Sequence, residues 1–170
     1  PEYPSGACSR DVEARIFSAA GEPEGTVIVV PPDLRGGQYH SVVAPMGGGF
    51  LAVWSGQDFT SPGGDYHIYS RLFNEHGTPV GTARQVDDPS TGSTFVPSVA
   101  TTSSGAVVLW KRFAGAYGTY LYMQWLDARG APLLASPVMV RHHRYDDFRE
   151  PTIAVSADGT MLGMEMNYKG

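Results

Sequence analysis

The stretch that decides the fold reads GAVVLW at residues 105–110 and returns as GFLAVW at residues 49–54. Each copy follows a turn and ends in tryptophan. Longer segments follow both copies in the same way, because residues 68–80 and 121–133 are alternating strands that end in a polar turn, a glycine, one residue and a proline. A fixed period of this kind is the signature of a repeat architecture. The sequence therefore predicts repeated units of about 54 residues.

A third copy of the unit is divided between the two ends of the chain. Its first half is C-terminal, from Pro151 to Met164, and its second half is N-terminal, from Val12 to Pro23. The cut falls between the second and third strands of the unit, so residues 161–166 are expected to pair with residues 12–17. The predicted organisation is an N-terminal tail at 1–8 and one domain at 9–170, with repeats at 40–95, at 96–150 and, split, at 151–170 plus 9–39.

Each unit is predicted to contain four short antiparallel strands. In the second unit they cover residues 98–101, 106–111, 120–126 and 138–141, with glycine, proline, aspartate and serine in the gaps. Four strands per repeat at a period of roughly 40–50 residues are typical of a β-propeller blade. We therefore predict an all-β fold, a β-propeller of four-stranded antiparallel blades with three blades per chain.

Composition excludes several other classes of protein. Glycine and proline number 21 and 13 among 170 residues, a density that long helices do not tolerate. Hydrophobic residues make up 42% and charged residues 17%, which excludes intrinsic disorder. The net charge of −5 argues against nucleic-acid binding. No apolar run approaches the roughly 20 residues of a membrane span, and Cys8, the single cysteine, cannot form a disulfide within the chain.

The ordered motifs carry a resemblance to a known group of proteins. They are Pro-Ser-Val-Ala at 97–100, Gly-x-x-Val-x-Trp at 105–110, Ile-Tyr-x-Arg-x-Phe at 68–73 and Gly-x-Pro-Val at 77–80. This set resembles the propeller-like repeats of bacterial secreted and surface proteins, over about 150 residues. The resemblance implies a fold and not a reaction. The split unit departs from it at Met164, where the other two units have Trp54 and Trp110.

Three blades leave a poorly closed ring, since propellers usually have about 4–8. An open half-ring also exposes sheet edges and apolar faces, which favour association. A homodimer of six blades, in which two blades are shared between the chains, meets both conditions and has the commonest symmetry. Two alternatives are that the chain is a fragment of a longer repeat protein, or that it closes on itself as a three-bladed ring.

Polar and aromatic residues at matching positions of the third strands suggest a sugar-binding surface. Aromatic faces stack on the apolar face of a pyranose, and planar guanidinium or amide groups bond its hydroxyls. The candidate residues are Arg15, Arg71, Gln124, Tyr69, Tyr122, Trp54 and Trp110. The alternative is that the polar groups bond the backbone between units and that the tryptophans belong to the core.

The loops between the fourth strand of one unit and the first strand of the next are the second candidate, since they gather on one rim. We select His142, Arg144 and Asp147 from the loop at 141–150. A metal site is not assigned there, because adjacent histidines on a strand point to opposite faces. No catalytic residue is assigned either, because no nucleophile motif occurs and the spacing of a carboxylate pair cannot be taken from sequence.

These observations predict a secreted or cell-surface binding module whose signal peptide, if any, has been removed. Its most plausible activity is multivalent carbohydrate binding, lectin-like by analogy, with a glycan or other small polar ligand and a second copy of the chain as partners. No cofactor, no nucleic acid and no membrane span are expected. The alternatives are a small propeller enzyme of the glycoside hydrolase or lyase type with an axial site, and a protein-interaction scaffold.

Overall fold

The computed structural model describes residues 11–30, 36–57, 64–115, 118–143 and 148–167. Its twelve strands confirm the predicted all-β class with four-stranded antiparallel sheets. In the described residues no helix is long and apolar enough to cross a membrane. The strands are β1 (Glu13–Phe17), β2 (Pro23–Val29), β3 (Gln38–Met46), β4 (Gly49–Gln57), β5 (Tyr66–Asn74), β6 (Pro79–Gln85), β7 (Thr94–Thr102), β8 (Gly105–Phe113), β9 (Thr119–Asp127), β10 (Val138–His143), β11 (Phe148–Val155) and β12 (Met161–Asn167), and a 3-10 turn covers Pro89–Thr91.

Within each sheet, the strands that pair with each other are adjacent in sequence. The first sheet has the order β3-β4-β5-β6 and the second sheet the order β10-β9-β8-β7. The N-terminal hairpin consists of β1 and β2, and the C-terminal hairpin of β11 and β12. The short turns and the alternation of side chains on successive positions explain why each sheet is a simple meander. The strands predicted at 98–101, 106–111, 120–126 and 138–141 all lie within β7 to β10.

Successive sheets pack face to face in chain order. Leu51, Val53 and Ile68 project from one face of the first sheet and meet Val108 and Trp110 of the second in one buried cluster. We call the face of each sheet that carries Trp54 or Trp110 its tryptophan face. β4 and β8 are apolar on both faces because each lies between two packed layers.

The N-terminal hairpin covers the tryptophan face of the first sheet. Val12 and Val30 join Trp54 and Phe73 in a second buried cluster. The turn between β5 and β6 fits tightly under this hairpin at Gly77, whose φ of 76° suits glycine and whose missing Cβ would collide with Ile28. Close packing therefore fixes the hairpin on the sheet.

The C-terminal hairpin lies at the other end of the stack, on the second sheet. The backbone N–H of Ile153 donates to Ser98 Oγ at 3.1 Å, and Gly163 approaches Leu109. The two hairpins form separate two-stranded sheets. The expected pairing of residues 161–166 with residues 12–17 therefore does not occur within the described part of one chain, and this structure is not a closed three-bladed ring.

The strand register corrects the position assigned to the missing tryptophan. The first ladder pair after the bulge is Val42–Val53 in the first sheet and Ser98–Leu109 in the second. In the C-terminal hairpin it is Thr152–Met164. Glu165, not Met164, thus occupies the register of Trp54 and Trp110, because five residues separate the ladder pair Val155–Met161 and only four separate the equivalent pair Thr101–Ala106.

The turn between β11 and β12 is held by its own side chains. The Ser156 hydroxyl and the backbone N–H of Thr160 both donate to the carboxylate of Asp158. The Ser156 hydrogen bond is the larger cause that lowers the pKa of Asp158 from 3.8 to about 2. Because the pKa in the folded chain is lower, the charged carboxylate stabilises the turn above pH 3.8 and this contribution is lost as the pH falls toward 2.

We expect an NMR titration of the Asp158 carboxyl carbon to give a midpoint near 2 in the folded protein. Ser156→Ala should raise that midpoint toward 3.8, because it removes the main hydrogen bond to the carboxylate. A midpoint near 3.8 before any substitution would mean that the turn is not formed as described.

Removal of a tryptophan between layers should strongly destabilise the fold. Trp110 is 1% exposed, and Trp110→Ala should lower the free energy of unfolding by about 3–5 kcal/mol in urea denaturation. Trp125→Ala is the matched control, because Trp125 lies on the adjacent strand β9 and is only half-buried. Equal losses in the two variants would contradict the assignment of Trp110 to the core between the sheets.

Candidate functional site

The structure corrects the assignment of Trp54 and Trp110 as ligand-stacking residues. Both indoles lie between layers, with 0% and 1% of their surface exposed. The Trp54 indole N–H donates to Gln38 Oε1 at 2.8 Å, and each ring stacks on a tyrosine of the next strand, Tyr69 or Tyr122. A ring with no exposed face cannot stack on a sugar, so the alternative interpretation, that these tryptophans belong to the core, applies.

The planar polar residues of the third strands also bond mainly to the backbone. Arg71 Nε donates to the carbonyl of Gly81 at 3.1 Å, and its Nη1 donates to the carbonyl of Val30 at 3.4 Å. Gln124 is buried, and its carboxamide donates to the carbonyl of Leu134 at 2.9 Å. These hydrogen bonds join β5 to β6 and to Val30 after β2, and β9 to the loop that follows it, so both side chains have a structural role.

The remaining candidates of the third strands differ in exposure. Tyr69 is buried, while Tyr122 is half-buried and accepts a hydrogen bond from Arg112 at 3.3 Å. Arg15 is exposed on the N-terminal hairpin, far along the stack from Tyr122. The predicted set does not form one site. Arg144, Asp147 and Cys8 lie outside the described residues.

A different group of residues gathers where β3, β7 and β11 begin. Each of these strands has a bulge at the same position, with a left-handed residue that is not glycine: His40 (φ 48°), Val96 (φ 52°) and Glu150 (φ 47°). Such conformations are unfavourable, above all for a β-branched valine, and bulges of this kind occur often beside functional sites. We call this end of the sheets the bulge rim.

Aromatic rings form a continuous row along the bulge rim. The ring of Tyr39 on β3 lies 5.5 Å from that of Tyr66 on β5, and Tyr66 lies 5.1 Å from Phe95 on β7. All three rings are half-buried, so each keeps part of its surface in solvent. The row crosses from the first sheet to the second and ends beside the bulge at Val96.

The second sheet presents its own aromatic group at the same rim. The exposed imidazole of His142 stacks on Tyr120, with 4.2 Å between ring centroids and 9° between ring planes. Tyr120 in turn lies 6.2 Å from Tyr122, and the Arg112 guanidinium lies 5.3 Å from the centre of the Tyr120 ring. His142 is thus the one predicted rim residue that the structure describes, and it stands in a flat aromatic and cationic surface.

A buried polar network holds the rim in place. Asp87 Oδ2 accepts from Thr94 Oγ1 at 2.6 Å and lies 3.1 Å from His67 Nδ1, while Asp87 Oδ1 accepts from Gln85 at 3.0 Å. His67, Asp87 and Thr94 are buried. The carboxylate therefore ties the start of β7 to the start of β5 and the end of β6, which fixes the second sheet against the first at the rim.

Further carboxylates border this network. Asp65 Oδ1 accepts from Ser93 Oγ at 2.7 Å. Asp88 caps the 3-10 turn, and the hydrogen bond from the Ser90 hydroxyl is the main cause that lowers its pKa. In the residues that the structure describes, no group of three or more His, Cys, Asp or Glu side chains comes together as metal ligands. What the rim offers chemically is flat aromatic surface beside carboxylates and an arginine.

Comparisons with known proteins show a likeness in fold to a solved structure. No family model and no curated protein sequence matches it. Among solved structures, it is similar to the crystal structure of an α-L-arabinofuranosidase from Lactobacillus brevis, with a TM-score of 0.55 and 14% identity. The similarity covers 92% of this chain and 61% of the arabinofuranosidase chain, so this chain spans less than two thirds of that protein's length. At this identity the likeness concerns the fold.

Sequence reasoning missed Tyr39, Tyr66, Phe95 and Tyr120. They are spread over four strands, and only the packing of the sheets brings them to one rim. A signal was present, because all four stand at the start of a strand next to a loop that joins consecutive strands or units.

We expect Asp87→Ala to lower the free energy of unfolding by about 3 kcal/mol, because it leaves the buried His67 and Thr94 side chains without their shared carboxylate. Asp88→Ala is the matched control, since it removes only the cap of the 3-10 turn and should cost clearly less. Urea denaturation measures both. Similar losses in both variants would show that the network does not hold the rim.

Proposed function

We propose that the protein is a carbohydrate-binding module that binds glycans through the bulge rim, at several weak sites on successive sheets. The two four-stranded sheets are consecutive blades of a β-propeller, and the two hairpins are the halves of a third blade. Two chains complete six blades as a homodimer. Each copy brings its own rim, so the assembly binds multivalently and adds weak affinities together.

The observation that carries this proposal is the pair of partly exposed aromatic groups at one rim. Sugar rings have an apolar face of C–H groups that stacks on aromatic rings, and their hydroxyls need charged or planar polar partners. The group of Tyr120 and His142 has the Arg112 guanidinium beside it, and the row through Tyr66 has Asp65 and Ser93 beside it. Partly exposed aromatic rings that are grouped on a water-exposed edge are typical of a binding site.

The class of glycan follows from the structural likeness. An enzyme that acts on α-L-arabinofuranosides shares this fold over 92% of the chain. We therefore propose glycans that carry arabinofuranosyl groups as the first ligands to test. The secreted or cell-surface location stays part of the proposal.

A small glycoside hydrolase is the second candidate function, favoured by the fact that the similar structure is an enzyme. Glycoside hydrolysis needs two carboxyl groups about 5–10 Å apart. The described carboxylates near the rim are Asp65, Asp87, Asp88 and Glu150, and Asp87 already has three side-chain partners in the buried network. Binding is the simpler function for a rim where Asp65, Asp87 and Asp88 already accept hydrogen bonds from neighbouring side chains.

We expect Tyr120→Ala and His142→Ala each to weaken binding of an arabinofuranosyl oligosaccharide about tenfold, equal to about 1.4 kcal/mol, in isothermal titration calorimetry. Each substitution removes one ring of the stacked pair formed by Tyr120 and His142. His76→Ala is the matched control, because this exposed histidine lies in the turn between β5 and β6, at the opposite end of the sheet.

Three results would contradict the proposal. Binding that is unchanged in both variants places the site elsewhere. A glycan array with no bound sugar leaves the protein-interaction scaffold as the function. Release of product from an aryl α-L-arabinofuranoside, lost in Asp65→Asn or Glu150→Gln, makes the chain an enzyme.

A further inference from the structure

Two apolar surfaces of this chain are open, and they lie at opposite ends of the stack. One is the outward face of the C-terminal hairpin, where Leu162 is 63% exposed and Met164 is 60% exposed. The other is a groove of about 500 Å³ beside β1, whose floor includes Val43, Phe50 and Ala52. Exposed apolar surface of this size usually marks an interaction site.

The strand register shows which residues of the first sheet correspond to the exposed residues of the C-terminal hairpin. Counting from the first ladder pair after the bulge, Met164 corresponds to Val53, and Leu162 corresponds to Leu51. In the first sheet those two positions are both 0% exposed, because they pack against the tryptophan face of the second sheet. The outward face of the C-terminal hairpin therefore has the pattern of a surface that packs on a tryptophan face.

The groove lies on the tryptophan face of the first sheet, which is only partly covered. The pair Val43–Ala52 of the first sheet corresponds to the pair Val99–Val108 of the second. Val108 is buried against the first sheet and Val99 packs on the same cluster, whereas Val43 is 67% exposed. The N-terminal hairpin covers the outer part of this tryptophan face and leaves its inner part, beside β3 and β4, open.

The free edges match as well. β1 is an end strand of its two-stranded sheet, and so is β12. A sheet in the order β11-β12-β1-β2 repeats the order β3-β4-β5-β6 of the first sheet. Unpaired edges of this kind readily accept a strand from another chain.

We propose that the groove beside β1 is the docking site for the C-terminal hairpin of a second copy of this chain, with β12 paired to β1. The inference rests on the blade architecture proposed above and specifies the interface that closes it. Each copy supplies the hairpin that the other lacks, so two copies bury both apolar surfaces twice and leave no free edge at these strands. Leu162 and Met164 then pack on Val43, Phe50 and Ala52, as Leu51 and Val53 pack on the second sheet.

Docking also completes the bulge rim. β11 packs beside β7, and β7 beside β3, so that the three bulged strands follow one another. In the assembly, β11 of the second copy lies beside β3 in the same way. The rim at His40 is then continuous with the bulge that the partner's Glu150 forms, and the binding surface runs across the interface.

The experiment measures the mass of the chain in solution by light scattering and sedimentation velocity. The expected mass is about 37 kDa, twice the 18.3 kDa of one chain. Leu162→Asp should raise the dissociation constant of the dimer about 100-fold or more, since it places a charge in an apolar contact. Val80→Asp is the matched control, because Val80 is 54% exposed on β6, away from both surfaces, and should leave the mass unchanged.

A rescue variant separates assembly from folding. Val43→Lys combined with Leu162→Asp restores opposite charges across each interface and should recover part of the dimer. Circular dichroism confirms that each variant is folded, which is expected because both positions are exposed in the single chain. Leu162→Ser is the milder substitute if Leu162→Asp does not fold.

The proposal is overturned by a stable 18 kDa species, by a dimer that Leu162→Asp leaves intact, or by a mass of three or more chains. It fails independently of the carbohydrate proposal. Tyr120 and His142 lie within one sheet, so a monomeric Leu162→Asp variant keeps its affinity for a single oligosaccharide while it loses avidity for a polysaccharide.

Discussion

The structure depends on one constraint: every sheet must bury two apolar faces. β4 and β8 have no polar face, so each sheet needs a layer on both sides. The contact of Leu51 and Val53 with Trp110 satisfies this requirement once, and the contact of the N-terminal hairpin with Trp54 satisfies it again. The stack of layers follows from this rule, and so do the two surfaces that remain open at its ends.

The same packing creates the rim. Because the sheets stack in one orientation, their first strands lie side by side and their bulges fall at the same level. Asp87 then acts as a buried link, with partners on β5, β6 and β7. A rigid support under a strained backbone is a common arrangement at binding sites, since it holds side chains in place before a ligand arrives. The partly exposed rings of Tyr39, Tyr66, Phe95 and Tyr120 all lie at this end of the strands.

The burial of the tryptophans changes how the aromatic residues divide between core and surface. Trp54 and Trp110, the largest aromatic side chains of the repeated stretch, fill the space between layers. Tyrosine, phenylalanine and histidine side chains at the bulge rim remain available to contact a ligand. The likeness to an arabinofuranosidase concerns the fold alone. The proposed ligand contacts lie outside the stretch that decides the fold.

The sequence by itself determined the all-β class and the four antiparallel strands of the two larger sheets, while the division of one unit between the two ends stays a prediction. These features depend on local properties, namely the alternation of side chains, turn residues and the spacing of similar segments. It also selected His142, which the structure places near the end of β10 with its ring stacked on Tyr120. It placed Met164 at the position of Trp54, one residue away from the true register. The sequence does not show where the turn ends and β12 begins, so an extra residue in the connection goes unnoticed.

Only the tertiary structure decided which side chains are available to a ligand. Arg71 and Gln124 stand at matching positions and have suitable chemistry, but they donate to the backbone carbonyls of Gly81 and Leu134 nearby in the chain, and Arg71 also donates to Val30 in the adjacent layer. Tyr39, Tyr66 and Phe95 are distant in sequence and meet because two sheets pack together. Burial and proximity depend on how two layers pack. The residue pattern along one strand does not show which layer will cover that strand.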